Sequence, residues 1–263
     1  LTGVAGGLVI AVADDVGLSS SQNEQDSRFW GRFAHVPILE PADSQEAYEY
    51  TKAAFELSER FQTVVILRMT TRICHVKALV TVGERVPHVA AGFKKDAARW
   101  VMVPGAAMRR IPLMFQREED LRAEAEASAL NVVDEGSDKR VGFITSGPAY
   151  MHIKEAYPDA PVLKLGLSYP VPFEKIRAFA ATVEQCVVSE EVEPLLETEI
   201  KAQGIQVLGK DILPRQGELA PHVLKPAIAP LLGEEVPEAP KKSRMPAPLP
   251  VFPRPPTMCV ACP

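Results

Sequence analysis

Two stretches of this chain alternate short apolar runs with amphipathic segments, and that alternation leaves few folds open. Residues 7–12 are a continuous apolar run of the kind that parallel sheets bury on both faces. A polar loop and a short helical stretch come next, then a second apolar run at residues 36–39. Asp43 and Glu46 have the spacing of a capping box, and Ala47, Tyr50, Ala54, Leu57 and Phe61 recur at helical period. Residues 63–69 give a further strand with β-branched side chains. Strands alternating with helices of this length imply right-handed crossovers and a parallel sheet.

The same pattern restarts at Arg140. Residues 141–145, 162–167 and 186–189 read as strands, and 205–208 as another. Ser146-Gly147-Pro148 turns the chain into a helix, and Pro172 opens one that carries Phe173, Ile176, Ala180 and Val183 inward. Pro194 opens the next helix and Gly204 ends it. The expected fold class is α/β, with two separate open parallel-sheet, three-layer domains, the first ending near Thr71. Residues 81–138 read as a connector, with a solvated helix over 118–131. From Pro237 the sequence becomes rich in proline, which suits neither helix interior nor central strand, so 237–258 are expected to be a linker packing poorly or running over the surface.

Composition closes other classes. The 263 residues are 46% hydrophobic and 24% charged, values of a globular chain. A net charge of −5 argues against broad attraction to nucleic acid or anionic membrane. The longest apolar run stops at Asp14 and Asp15, too short to span a bilayer, and no secretion leader is seen. Four cysteines do not build a disulfide framework at this length, so Cys74 and Cys186 are expected as buried thiols in a reducing cytoplasm. The chain starts at Leu1 and stops within Cys259-Val260-Ala261-Cys262-Pro263, so both ends read as cut.

Three groups of residues are candidates for chemistry. The loop from Asp14 to Arg28 follows a strand's carboxyl end, where open α/β sheets place their ligands, and presents Gln22, Asn23, Glu24, Gln25 and Asp26 in a row. It can line a ligand pocket, or Ser21 or Asn23 can simply cap the short helix that follows. Arg68 and Arg72, beside Thr70 and Thr71, can hold a carboxylate or phosphate, or pair with Asp14, Asp15 or Glu24 across the strand ends. Cys259 and Cys262 have metal-ligand spacing for an iron–sulfur cluster or zinc, but one Cys-x-x-Cys is half a site and a reduced pair is the other reading. The five histidines show no metal spacing, and Gly3, Gly6 and Gly7 precede a strand, so they form no dinucleotide fingerprint.

Several segments in order resemble the alpha subunit of indolepyruvate ferredoxin oxidoreductase, a thiamine-diphosphate-dependent 2-oxoacid:ferredoxin oxidoreductase. They include Gly7-Leu-Val-Ile-Ala-Val-Ala-Asp-Asp15, Ser20-Ser-Gln-Asn-Glu-Gln-Asp-Ser-Arg28, Leu39-Glu-Pro-Ala-Asp-Ser-Gln-Glu-Ala47 and Leu67-Arg-Met-Thr-Thr-Arg72. Val101-Met-Val-Pro104, Ile144-Thr-Ser-Gly147 and Arg254-Pro-Pro256 before Cys259 continue the series. The resemblance implies that residues 1–80 are the later part of a pyrimidine-binding domain and 139–236 a transketolase C-terminal-like domain. A diphosphate-binding domain would begin at 259–263. It implies oxidative decarboxylation of an aryl pyruvate such as indolepyruvate to an aryl-acetyl-coenzyme A, with iron–sulfur clusters passing electrons to ferredoxin. Thiamine diphosphate and Mg would be bound largely by parts outside this chain, as would the clusters, so the fragment alone is expected to be inactive. A beta subunit, ferredoxin, coenzyme A and the 2-oxoacid are the implied partners. Gln22, Asn23 and Glu24 become candidate cofactor contacts, Arg68 and Arg72 candidate substrate contacts, and Cys259 and Cys262 candidate cluster ligands. The family usually has Pro-Gly between these cysteines, where this chain has Val260-Ala261, which puts backbone approach to a cluster in doubt. No catalytic residue is assigned. Another 2-oxoacid, such as pyruvate or a branched-chain acid, stays open as substrate, and a non-catalytic α/β scaffold subunit is the rival from a different class.

Overall fold

A computed structural model describes residues 1–19, 21–85, 87, 92 and 94–237. The elements run β1 (Leu8–Asp14), α1 (Arg28–Ala34), β2 (Ile38–Leu39), α2 (Ser44–Phe61), β3 (Val64–Thr70), α3 (Thr71–His75), α4 (Ala97–Trp100) and α5 (Pro104–Ala127). They continue with β4 (Asn131–Asp134), β5 (Val141–Thr145), α6 (Ala149–Ala156), β6 (Val162–Leu165), β7 (Leu167–Tyr169), α7 (Phe173–Ala180), β8 (Gln185–Ser189), α8 (Leu195–Ala202) and α9 (Pro221–Leu232). The class is α/β, as the alternation requires: two four-stranded, parallel-rich sheets in the orders β1-β3-β2-β7 and β4-β6-β5-β8. Each sheet carries one antiparallel edge, made by β7 on β2 and by β4 on β6.

Local chemistry fixes the elements. Asp43 caps α2 by accepting from the Glu46 N–H at 2.8 Å, while the Glu46 carboxylate accepts from the Ala42 N–H at 2.7 Å. The helix lays Tyr50, Ala54 and Leu57 on Leu39, Val65, Leu67 and Leu167 of the first sheet. The other face of that sheet presents Ile38, Ile66 and Tyr169, which join Ile144, Leu163, Leu165 and Val188 of the second sheet in one core. Beyond the second sheet, Val141, Phe143 and Val187 pack on Ile153 of α6 and on Leu224 and Ile228 of α9.

Five expectations change. The first sheet does not end near Thr71 and the second does not begin at Arg140, because β7 joins the first and β4, within the expected connector, joins the second. The run 162–167 is not one strand: it breaks at Gly166, and β7 crosses into the first sheet. A side chain at Gly166 would collide with the Tyr50 hydroxyl and the Leu130 carbonyl, so only glycine fits the crossing. Residues 205–208 make an isolated bridge, Val187 to Leu208, instead of a strand. The helix expected to be solvated over 118–131 is the longer α5, and it buries Leu121 and Ala125 completely. Cys186 is buried as expected, but Cys74 is exposed, because it falls in the short α3 past the end of β3.

Candidate functional site

Side chains two apart on a strand share a face, and this turns the core between the sheets into a polar layer at the strands' carboxyl ends. Ile38 is followed on its face by Glu40, Ile66 by Arg68 and Thr70, Val12 by Asp14, and Val188 by Glu190. Every one of these polar residues is at most 5% exposed. Arg68 donates through Nε to Asp14 at 2.6 Å and through Nη1 to Glu40 at 2.5 Å. Arg28 donates to Asp26 through Nε at 2.8 Å and Nη2 at 2.5 Å, and through Nη1 to Glu190 at 2.6 Å. Its Nη2 also reaches the carbonyls of Glu191 at 3.1 Å and Glu193 at 2.7 Å.

Buried charge dominates the electrostatics. Asp26 is pushed up by burial, yet ends below the usual carboxylate range because Arg28 pairs with it and Arg68 adds its charge. Burial raises Glu190 and Glu191 above that range, against the pull of Arg28 and of backbone N–H donors. Three buried polar atoms on this layer have no hydrogen-bond partner among the described residues: Glu40 Oε1, Arg68 Nη2 and Thr70 Oγ1. Unpaired polar groups are costly to bury and mark a place where water or a ligand group completes the shell.

The polar loop wraps the edge of this layer. Asp14 accepts from the Ser27 N–H at 2.8 Å and hydroxyl at 2.6 Å, closing the loop at its base. Asp15 accepts from the Ser19 and Ser21 N–H groups, and its own N–H donates to Gln25 at 2.8 Å. Gln22 and Asn23 are exposed. The Glu24 carboxylate accepts from the N–H groups of Gly17 at 2.7 Å and Gly217 at 2.8 Å, so it bridges to the segment before α9. Neither Ser21 nor Asn23 caps α1; its N-cap is Ser27, whose side chain makes no capping bond to the helix. Arg68 pairs with Asp14, one of the partners foreseen, whereas Arg72 lies on the surface and pairs with Glu218. Cys259 and Cys262, with the proline-rich segment before them, lie outside the described residues.

Glu40 and Glu190 were not singled out from sequence as candidates, and Asp26 and Arg28 entered only as the far end of the polar loop. Their signal was available: Glu40 and Glu190 are acids on a strand's inward register directly after apolar runs, where alternation calls for another apolar side chain. Among the described residues, no group of three or more His, Cys, Asp or Glu side chains is placed to hold a metal ion. No helix among them is long and apolar enough to cross a membrane.

A pair of parallel-rich sheets with helices packed on them defines an α/β protein of the open-sheet class. No protein-family model matches the chain. In sequence it is 40% identical, over 99% of its length, to the indolepyruvate oxidoreductase subunit IorA of Thermococcus kodakarensis. It is 39% identical, over all of its length, to the protein of the same name from Methanothermobacter thermautotrophicus, and 34% identical over 99% to that from Archaeoglobus fulgidus. The chain belongs to this family of IorA subunits, and spans 43–44% of the length of these relatives. In fold it resembles a 2-oxoglutarate:ferredoxin oxidoreductase from Magnetococcus marinus solved with 2-oxoglutarate, coenzyme A and succinyl-CoA bound. That likeness has a TM-score of 0.54 at 17% identity and covers 76% of this chain and 44% of the other.

Proposed function

We propose that the chain is part of a thiamine-diphosphate-dependent enzyme that oxidatively decarboxylates aryl pyruvates, indolepyruvate among them, to aryl-acetyl-coenzyme A, with ferredoxin as electron acceptor. The observation that carries this reading is the 39–40% identity, over nearly all of this chain, with proteins named indolepyruvate oxidoreductase subunit IorA. In this reading residues 1–80 supply the later part of the pyrimidine-binding unit and 139–236 a transketolase C-terminal-like unit, joined by 81–138. Residues 237–258 lead on to a diphosphate-binding domain that begins at 259–263. The name of the relatives as a subunit supports a partner subunit, and the bound molecules of the fold neighbour support coenzyme A and a 2-oxoacid as ligands.

The described residues fit one end of the cofactor. Gln22 and Asn23 are exposed amides with donors and acceptors of the kind that the edge of an aminopyrimidine takes. Among the described residues no group of three or more His, Cys, Asp or Glu is placed to hold a metal ion; in this reading the magnesium–diphosphate end of the cofactor and most of the iron–sulfur ligation belong to other parts of the enzyme, with Cys259 and Cys262 as this chain's candidate cluster ligands. When bound, thiamine diphosphate supplies the nucleophilic carbon for attack on the 2-keto group. The task of this chain's own loop is to orient the ring and the 2-oxoacid by hydrogen bonds.

The test is Gln22→Ala and Asn23→Ala in the full-length enzyme, assayed by ferredoxin or viologen reduction with indolepyruvate, coenzyme A and thiamine diphosphate. Each variant should melt close to the parent, because an exposed polar side chain contributes well under about 1 kcal/mol to folding. Loss of a hydrogen bond made to developing charge would cost about 2–4 kcal/mol of barrier, tens- to several-hundred-fold in rate. Unchanged turnover in both variants removes the loop from the active site.

A further inference from the structure

We propose that Glu190 is a positioning residue: acting through Arg28, it fixes the loop of residues 15–27, so that the second sheet's unit sets the geometry of a site built on the first. The inference rests on reading that loop as part of the active site. Glu190 follows β8 and is 1% exposed. Its carboxylate accepts from the N–H groups of Leu196 at 2.9 Å and Glu197 at 2.8 Å, at the start of α8. Those two donors pin it to the second unit and leave its remaining direction for Arg28, at 2.6 Å. Among the described residues Arg28 is its one side-chain ion-pair partner; Lys210 meets the Glu190 backbone carbonyl instead.

Arg28 is the transmission. It stands where the loop enters α1, is itself 1% exposed, and spends its guanidinium on both units. On the loop side it clamps both carboxylate oxygens of Asp26. On the other side it holds Glu190 and the carbonyls of Glu191 and Glu193. Asp26 closes the circuit by accepting from the Glu193 N–H at 3.3 Å. A planar guanidinium with fixed donor directions holds two bodies in one register, which a single ammonium does not do. Gln22 and Asn23 project from the arc between Asp14 and Asp26, so the position of Asp26 fixes theirs. Exposed amides on a loop tip gain catalytic precision only if the base of the loop is held.

The experiment uses the full-length holoenzyme and two variants: Glu190→Gln, which keeps the shape of the side chain, and Arg28→Lys, which keeps the charge but loses the fork. Amide hydrogen exchange in residues 16–27 is expected to rise about tenfold or more in each, with β5 and β8 still protected. The kcat/KM should fall about tenfold or more, and each variant combined with Gln22→Ala should lose less than the product of the single losses, since both act through one loop. Unaltered exchange in 16–27, or losses that multiply, would overturn the positioning role. If the loop loosens while Gln22→Ala and Asn23→Ala stay fully active, the clasp stands and the catalytic reading of the loop falls. A uniform rise in exchange across β5, β8 and the loop would show a merely structural role and also overturn the proposal.

Discussion

Glu190 and Glu191 are neighbours in sequence and bury their carboxyl groups against different partners, which gives them different tasks. Glu190 has a guanidinium at 2.6 Å and two backbone donors, enough to satisfy a buried carboxylate. Among the described residues the Glu191 carboxylate accepts one hydrogen bond, from the Leu219 N–H at 3.1 Å, and burial raises it above the usual carboxylate range. A carboxyl group that holds its proton more firmly folded than unfolded releases that proton on unfolding. Its ionisation therefore weakens the fold progressively as pH rises above the unfolded value of about 4.3. Glutamine at this position has no ionisation to suffer and keeps an acceptor for Leu219. Glu191→Gln should therefore have little effect near about pH 4 and become increasingly stabilising, relative to the parent, toward about pH 7. Urea midpoints of the two proteins across that range give the answer, and a difference independent of pH would show that Glu191 is ionised in both states alike.

Among the elements, β7 decides how the two sheets meet. Its three residues follow β6 after a single glycine, yet they pair with β2 of the other sheet, antiparallel. Gly166 makes the crossing with its N–H on the Leu130 carbonyl at 3.1 Å and its own carbonyl accepting from the Glu40 N–H at 2.9 Å. A methyl group there would have to displace the Tyr50 hydroxyl and backbone of Leu130 at once. Gly166→Ala is expected to cost about 1–3 kcal/mol, the range for forcing extra volume into a packed site. Equilibrium denaturation measures it, and a loss within experimental error would mean that the crossing has slack. This strand also shows where sequence reading stops. Apolar patterning located β1, β3, β5 and β8 because each carries at least three apolar side chains in a short run, and the Asp43–Glu46 pair located the start of α2. In the run from Val162 to Leu167, Lys164 and Gly166 alternate with apolar residues as they would in one continuous strand, so nothing local says that its last residues change sheets. The polar layer was half legible: the loop and Arg68 stood out by composition, but Glu40 gains its meaning from Arg68, 28 residues away, and Arg28 from Glu190, 162 residues away. Long-range ion pairs leave no periodic trace.

For the molecule as a whole, two alternating units would ordinarily mean two independent cores joined by a linker. Here the arrangement couples them in three ways. Ile38 and Ile66 of the first sheet lie in one cluster with Ile144, Leu163 and Val188 of the second. The first sheet takes its edge strand from the segment that follows β6. The Arg28–Glu190 pair joins the two at the strands' carboxyl ends, where breaking one partner leaves a buried charge uncompensated. The first unit also exposes large apolar side chains that the second does not cover, including Leu8 and Ile10 on the open edge strand and Trp30 and Phe33 on α1. By itself it would bury less of its apolar surface still. One cooperative transition is therefore expected, without a stage in which one sheet has melted and the other persists. Two reporters divide the molecule: Trp30 and Trp100 lie in the first 100 residues, and the buried thiol of Cys186 lies in β8. Tryptophan fluorescence and Cys186 labelling, the latter followed by mass spectrometry of its peptide, should give the same urea midpoint. Ile38→Ala truncates a side chain of the first sheet inside the shared core, and should remove about 2–5 kcal/mol. Because that core is common property, both midpoints should move together by the same amount, although Cys186 is in the other sheet. A fluorescence midpoint that moves while Cys186 labelling stays in place would establish two separately folding bodies and dismiss the coupling.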